Sequence, residues 1–104
     1  MNVRLIIPNI GSVDQSYLAR IARIAGGYTA WEAQGGWIDA DNDLVTEDVV
    51  VVETSIGNDD ANAINQLRRV AIKVCNDLEQ DCVFLSFDGE AHYVLKDGSD
   101  MTPA

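Results

Sequence analysis

The sequence predicts an α+β two-layer sandwich, and three observations carry that expectation. Two segments repeat apolar residues at helical spacing, one across 13–25 and one across 64–78. β-branched and aromatic runs lie before, between and after them, and each is bounded by Gly, Pro, Asn or Asp. The run Val49-Val50-Val51-Val52 departs from the alternation that a strand with one wet face requires, so it reads as a strand dry on both faces.

Residues 3–8 (VRLIIP) read as the first strand, stopped by Pro8, which has no N–H for a sheet ladder. Gly11 and Ser12 open the first helix, with Ser12 and Gln15 placed as a capping box. Its core stripe is Val13, Tyr17, Ile21 and Ile24, flanked by Leu18 and Ala25, and Gly26 ends it. Tyr28–Asp39 reads as the second strand, in which Gly35-Gly36 suggests a bulge or a close backbone approach. Asp39–Asp43 forms the turn, and Leu44–Ile56 returns antiparallel. Asn58 or Asp59 caps the second helix, whose stripe is Ile64, Leu67, Ala71, Val74 and Leu78 and which runs to about Gln80. Val70, Ile72 and Cys75 widen its apolar face. Cys82–Phe87 is the next strand. Asp88-Gly89 is then either a two-residue hairpin turn leading to a fifth strand over Glu90–Leu95 or a bulge in one long strand.

The order β-α-β-β-α-β, with an optional last strand, is met by an antiparallel sheet carrying both helices on one face. That is the ferredoxin-like arrangement. One domain over 1–95 and a flexible polar tail over 96–104 are expected. The helices cover one face of the valine-rich strand, so a second copy of the chain is expected on the other, giving a homodimer or larger oligomer.

Seven Lys and Arg stand against seventeen Asp and Glu, for a formal charge of −10. So acidic a chain argues against non-specific nucleic-acid binding. No secretory leader and no apolar run of membrane-spanning length is read, and a cytoplasmic setting with Cys75 and Cys82 as free thiols is expected.

The central block resembles an uncharacterised "domain of unknown function" family of small bacterial and phage proteins. The residues that carry the likeness are Gly26, Gly27, Tyr28, Thr29, Gly36, Trp37, Asp39, Leu44, Glu47 and the valines 49 to 52. Where many members place a Gly after the loop acids, this chain has Asn42-Asp43. The resemblance implies a ferredoxin-like fold without an agreed activity. At the level of size and fold, such proteins are also similar to phage anti-defence sponges that hold nucleotide signals between subunits.

Asp39, Asp41 and Asp43 imitate the start of a calcium loop, but Leu44 and Val50 stand where an EF-hand needs Gly and Glu, so a hydrogen-bonded turn is expected. His92, the only histidine, lacks partners at zinc-ligand spacing, and Ser86 is the one nucleophile within reach across a hairpin. No phosphate-binding glycine loop or catalytic-triad motif is present. Aromatic residues beside an arginine on a sheet can stack a base, which makes Arg4, Tyr28, Trp31, Trp37, Glu47 and His92 the candidate ligand-binding set. Glu47 and Glu53 share one parity on the third strand and are the expected partners for Arg4. Arg20, Arg23, Arg68, Arg69 and Lys73 put most positive charge on the helices, as a solvated surface, an anion site or intersubunit ion pairs.

The expected function is non-catalytic binding of a small, nucleotide-like ligand in a pocket between subunits, with no metal and no cofactor. The alternatives are an acidic inhibitor of a host protein and a small dimeric hydrolase or isomerase using His92 or Glu47 as base.

Overall fold

A computed structural model describes residues 1–101. The elements run β1 (Asn2–Pro8), α1 (Gln15–Ala25), β2 (Thr29–Ile38), β3 (Leu44–Ser55), α2 (Ala61–Asp77), β4 (Val83–Phe87) and β5 (Glu90–Val94). They form one antiparallel sheet of order β2-β3-β1-β4-β5 with both helices on one face. Its first four strands in chain order have the ferredoxin-like arrangement, and the fifth extends the β4 edge. Asp88 (φ 50°) and Gly89 (φ 85°) both take left-handed backbone, so the hairpin reading of that pair holds and the bulge reading does not.

Register assigns every strand residue to a face. Val3, Leu5 and Ile7 of β1, Val52 of β3 and Val83 and Leu85 of β4 point to the helices. There they meet Tyr17, Leu18 and Ile21 of α1 and Leu67, Val70, Ala71 and Val74 of α2. Burying each large aliphatic side chain contributes roughly 1.5–3 kcal/mol. The opposite face carries Arg4, Ile6, Thr29, Trp31, Ala33, Gly35, Trp37, Glu47, Val49, Val51, Glu53, Phe84 and Tyr93.

The valine run is dry within one chain. Val49 and Val51, which point away from the helices, are only 4% and 7% exposed. Trp31 stands opposite Val51 across the β2–β3 ladder, while Pro8 and Ala33 flank Val49. Burial of these valines therefore needs no second copy. The uncovered apolar surface lies one layer out, on Trp31, Trp37 and Tyr93, and at the hairpin end, on Ile38 and Leu44.

Several local expectations are corrected. Asp14, not Ser12, caps α1, because its carboxylate accepts from the Ser16 N–H at 2.8 Å. Asp60, not Asn58 or Asp59, caps α2 by accepting from Ala63 N–H at 3.0 Å. That helix ends at Asp77 rather than near Gln80. Glu79 turns left-handed (φ 50°) and Gln80 N–H returns to the Cys75 carbonyl at 2.9 Å. Gly35-Gly36 makes no bulge, for β2 and β3 pair without a slip from Thr29–Glu53 to Ile38–Leu44.

The segment Lys96–Met101, expected as part of a flexible tail, folds back on β5. Leu95 N–H reaches Ser99 O at 2.8 Å, Met101 N–H reaches Tyr93 O at 2.8 Å, and Val94 bridges Asp100. Asn76 Nδ2 holds the Lys96 carbonyl at 3.0 Å, and Arg68 pairs with Asp100. Residues 102–104 of that expected tail lie outside the described residues. The thiols of Cys75 and Cys82 are both free, and Cys75 Sγ donates to the Gln80 carbonyl at 3.2 Å.

Buried Tyr17 ties the two helices together by donating its hydroxyl to Asp77 Oδ2 at 2.8 Å, an oxygen that Lys73 also approaches at 3.0 Å. Burial, then the bond to Asp77, pushes the phenol up from 10.0 to about 12. A raised phenol stabilises the fold fully below pH 10, and the contribution fades as pH climbs towards about 12. Tyr17→Phe should lower stability by about 1.5 kcal/mol in urea unfolding at pH 7, and that deficit should shrink between pH 10 and 12.

Candidate functional site

The face without helices is concave. A trough of about 420 Å³ has Ile6, Pro8, Val49 and Val51 at its floor. Trp37 with the Gly35-Gly36 stretch of β2 forms one wall, and Phe84 and Tyr93 form the other. The two walls arise from the strand order, which puts β2 and β5 at opposite edges of the sheet. Tyr93 lies directly opposite Phe84, and their rings meet edge to face at 5.7 Å between centroids. Gly35 keeps the trough open. A Cβ there would meet Val49 Cγ1 at 3.7 Å and Glu47 Cγ at 3.9 Å, both ordinary contacts, so anything longer would project into the trough.

Glu47 is the one carboxylate among the described residues that line this space. Cys82 and Gln80 close the end near β4. Burial is the first cause that pushes the Cys82 thiol up, with Asp81 and Glu47 adding to it. The sulfur is thereby kept neutral, which makes it a poor nucleophile.

The candidate set divides. Trp37 and Glu47 line the trough. Arg4 and Trp31 share its face but stand beside it, where Arg4 Nε donates to Glu53 Oε2 at 3.0 Å and the guanidinium lies 5.8 Å from the Trp31 ring centroid. Of the two expected acidic partners, Arg4 takes Glu53, its cross-strand neighbour, and leaves Glu47 alone. Tyr28 precedes β2 and borders a separate, polar hollow of about 480 Å³ with Gly26, Gly27 and Thr54.

His92 does not join the others. It pairs with Leu85, which fixes it on the helix-bearing face, and its Nδ1 lies 2.8 Å from Asp100 Oδ2. Ser86 pairs with Ala91 and points to the other face, so the candidate His92–Ser86 couple does not form. His92 and Arg68 instead clamp Asp100. Their bonds, His92 first, hold that carboxyl below its ordinary 3.8 against the opposing effect of burial. The acidic turn is hydrogen-bonded as expected, with Asp39 Oδ1 accepting from the N–H groups of Asp41 and Asp43, both at 2.9 Å.

Gly35 and Cys82 are functional-site residues that the sequence does not single out, while Tyr93, an aromatic strand residue able to stack a base, and Phe84, expected with Leu85 as the alternative on the bare face, stand outside the candidate set. The signal for these last two was present. A two-residue turn at Asp88-Gly89 fixes Phe84 opposite Tyr93 by counting outward from the turn.

No family model matches the chain, and no curated protein matches it. Two solved structures share its architecture. One is a phage SAM lyase in complex with S-methyl-5'-thioadenosine, with a TM-score of 0.58 and 12% identity over 97% of this chain and 84% of that one. The other is a phage SAM lyase in the apo state, with a TM-score of 0.58 and 13% identity over 97% of this chain and 83% of that one. At such identity the likeness establishes a shared fold, the α+β sandwich that this chain has in common with proteins of phage.

Proposed function

We propose that this chain is a phage-type binding protein that holds a small nucleoside in the sheet-face trough, with a second copy closing the open side. The observation that carries the reading is the trough itself, a concave space of about 420 Å³ between aromatic walls. Its volume falls in the range that small-ligand sites occupy, roughly 300–1,000 Å³. Exposed aromatic rims favour a base stacked on Trp37 or Tyr93.

The charge of the site narrows the ligand class. Arg4 is already committed to Glu53, and among the described residues the only charged group lining the trough is Glu47. A phosphate there would find no cation, so a sequestered nucleotide is less well served than a neutral or cationic nucleoside. SAM, the substrate named for the structural neighbours, is a sulfonium. Its positive sulfur suits an aromatic face, a nearby carboxylate and a protein of charge −10.

A second reading, turnover of such a ligand, is favoured by the lyases that share the fold and by the position of Glu47 in the trough. One experiment separates the two. The protein is titrated with SAM and with S-methyl-5'-thioadenosine in a calorimeter, and the mixture is then chromatographed. Saturable binding with intact SAM supports sequestration. Conversion that Glu47→Gln abolishes supports the enzyme. No heat with either compound at millimolar concentration overturns the nucleoside reading.

A further inference from the structure

In a chain with seventeen acids and seven Lys and Arg, free arginines need a reason. Arg4 pairs with Glu53, Arg68 with Asp100 and Lys73 with Asp77. Arg20, Arg23 and Arg69 make no ion pair among the described residues, yet all three line one cleft of about 230 Å³ between α1 and α2, with Ile24 at its floor and Gln66 beside it. Arg23 sits in the last turn of α1, where a cation suits the helix dipole, but that accounts for one of the three.

The complementary surface lies on the same chain. β3 pairs with β1 only as far as Val49, and Asn9 N–H takes the Asp48 carbonyl at 2.9 Å. Beyond that point, Leu44–Glu47 pair with β2 alone, forming an arm about 14 Å long at strand rise. At its end Ile38 and Leu44 face each other across the ladder, 60% and 68% exposed. The exposed Asp41 and Asp43 follow at once. Because Asp39 ties both of their N–H groups, the tip is held in one shape, which lowers the entropy lost on docking. An apolar pair beside two carboxylates thus matches an apolar floor beside three arginines.

We propose that the arm tip of one copy docks into the arginine cleft of the next copy, Asp41 and Asp43 meeting Arg20, Arg23 and Arg69 while Ile38 and Leu44 cover Ile24. The contact joins two different surfaces, so it closes into a ring or grows as a chain. It is a contact separate from the copy that closes the trough in the reading above, and it is independent of any ligand there.

The test is charge exchange, read by sedimentation at 50 mM and 500 mM NaCl. Asp43→Arg and Arg23→Glu alone should each weaken self-association at least tenfold, as should the higher salt. The chain carrying both changes should regain wild-type association within about threefold. Asp43 serves the turn through its N–H, which arginine keeps, and circular dichroism checks folding. Should either variant misfold, Asp41→Arg with Arg69→Glu repeats the cycle. A wild type that stays at 11.3 kDa up to 100 µM, or single reversals without effect, overturns the proposal. So does saturable pyrophosphate binding at the cleft with no change in particle mass, which would mark a small-anion site instead. The SAM titration of the wild type reads the trough separately, so either reading can fail alone.

Discussion

Gly35→Leu should cut nucleoside binding at least thirtyfold, about 2 kcal/mol, while the protein stays folded. The strand at this position tolerates a side chain because a Cβ makes only ordinary contacts with Val49 and Glu47, at 3.7 and 3.9 Å. The remaining three carbons of leucine have nowhere to go but the space between Trp37 and the Phe84–Tyr93 wall. Glycine in a strand is itself destabilising by roughly 0.5–1 kcal/mol, so the variant should melt no lower than wild type. Calorimetry with SAM measures the first effect and thermal unfolding the second. Unchanged affinity in a folded variant would place the ligand elsewhere.

Leu67→Ala should lower stability by about 3 kcal/mol, with a melting temperature some 15 °C lower. Leu67 is 2% exposed and lies on the face of α2 that presses on the sheet, among Val70, Ala71 and Val74. A domain of this size has roughly 5–10 kcal/mol in hand, so the loss is a large share of the total. Urea unfolding should show a lower midpoint with an unchanged slope, since the fold that unfolds is the same. A loss under 1 kcal/mol would mean that α2 is not the central support of the sheet.

The sandwich was readable in the sequence because its periods are unambiguous. Leu67, Ala71 and Val74 recur at helical spacing, and Gly26 marks the end of α1. The helix starts were displaced because several residues competed for each cap. Asp14 outbid Ser12, since a charged oxygen holds an N–H more strongly than a hydroxyl does. The fold-back of Lys96–Met101 is not legible locally because its anchors, Arg68 and Asn76, lie 20 or more residues away on α2, beyond any local pattern.

The site was half legible. Alternation puts Arg4 on the bare face and gives Glu47 and Glu53 one parity, and the register sets all three on that face together with Trp31 and Trp37. Alternation did not place His92, because the face of β5 depends on the exact turn at Asp88-Gly89. Nor could composition show that Val49 and Val51 are sheltered by their own chain, which depends on Trp31, Ala33 and Pro8 arriving in register.

The place of β1 in the sheet has a consequence during synthesis. β1 leaves the ribosome before both of its neighbours in the sheet, β3 and β4, and the earlier of the two spans Leu44–Ser55. At roughly 5–20 residues per second, the 35 residues between β1 and β3 and the 12 of β3 itself take about 2–9 s to emerge. For that interval Leu5, Ile6 and Ile7 are an unclaimed sticky segment, so a nascent chain stalled near residue 50 should be the form that chaperones hold most tightly.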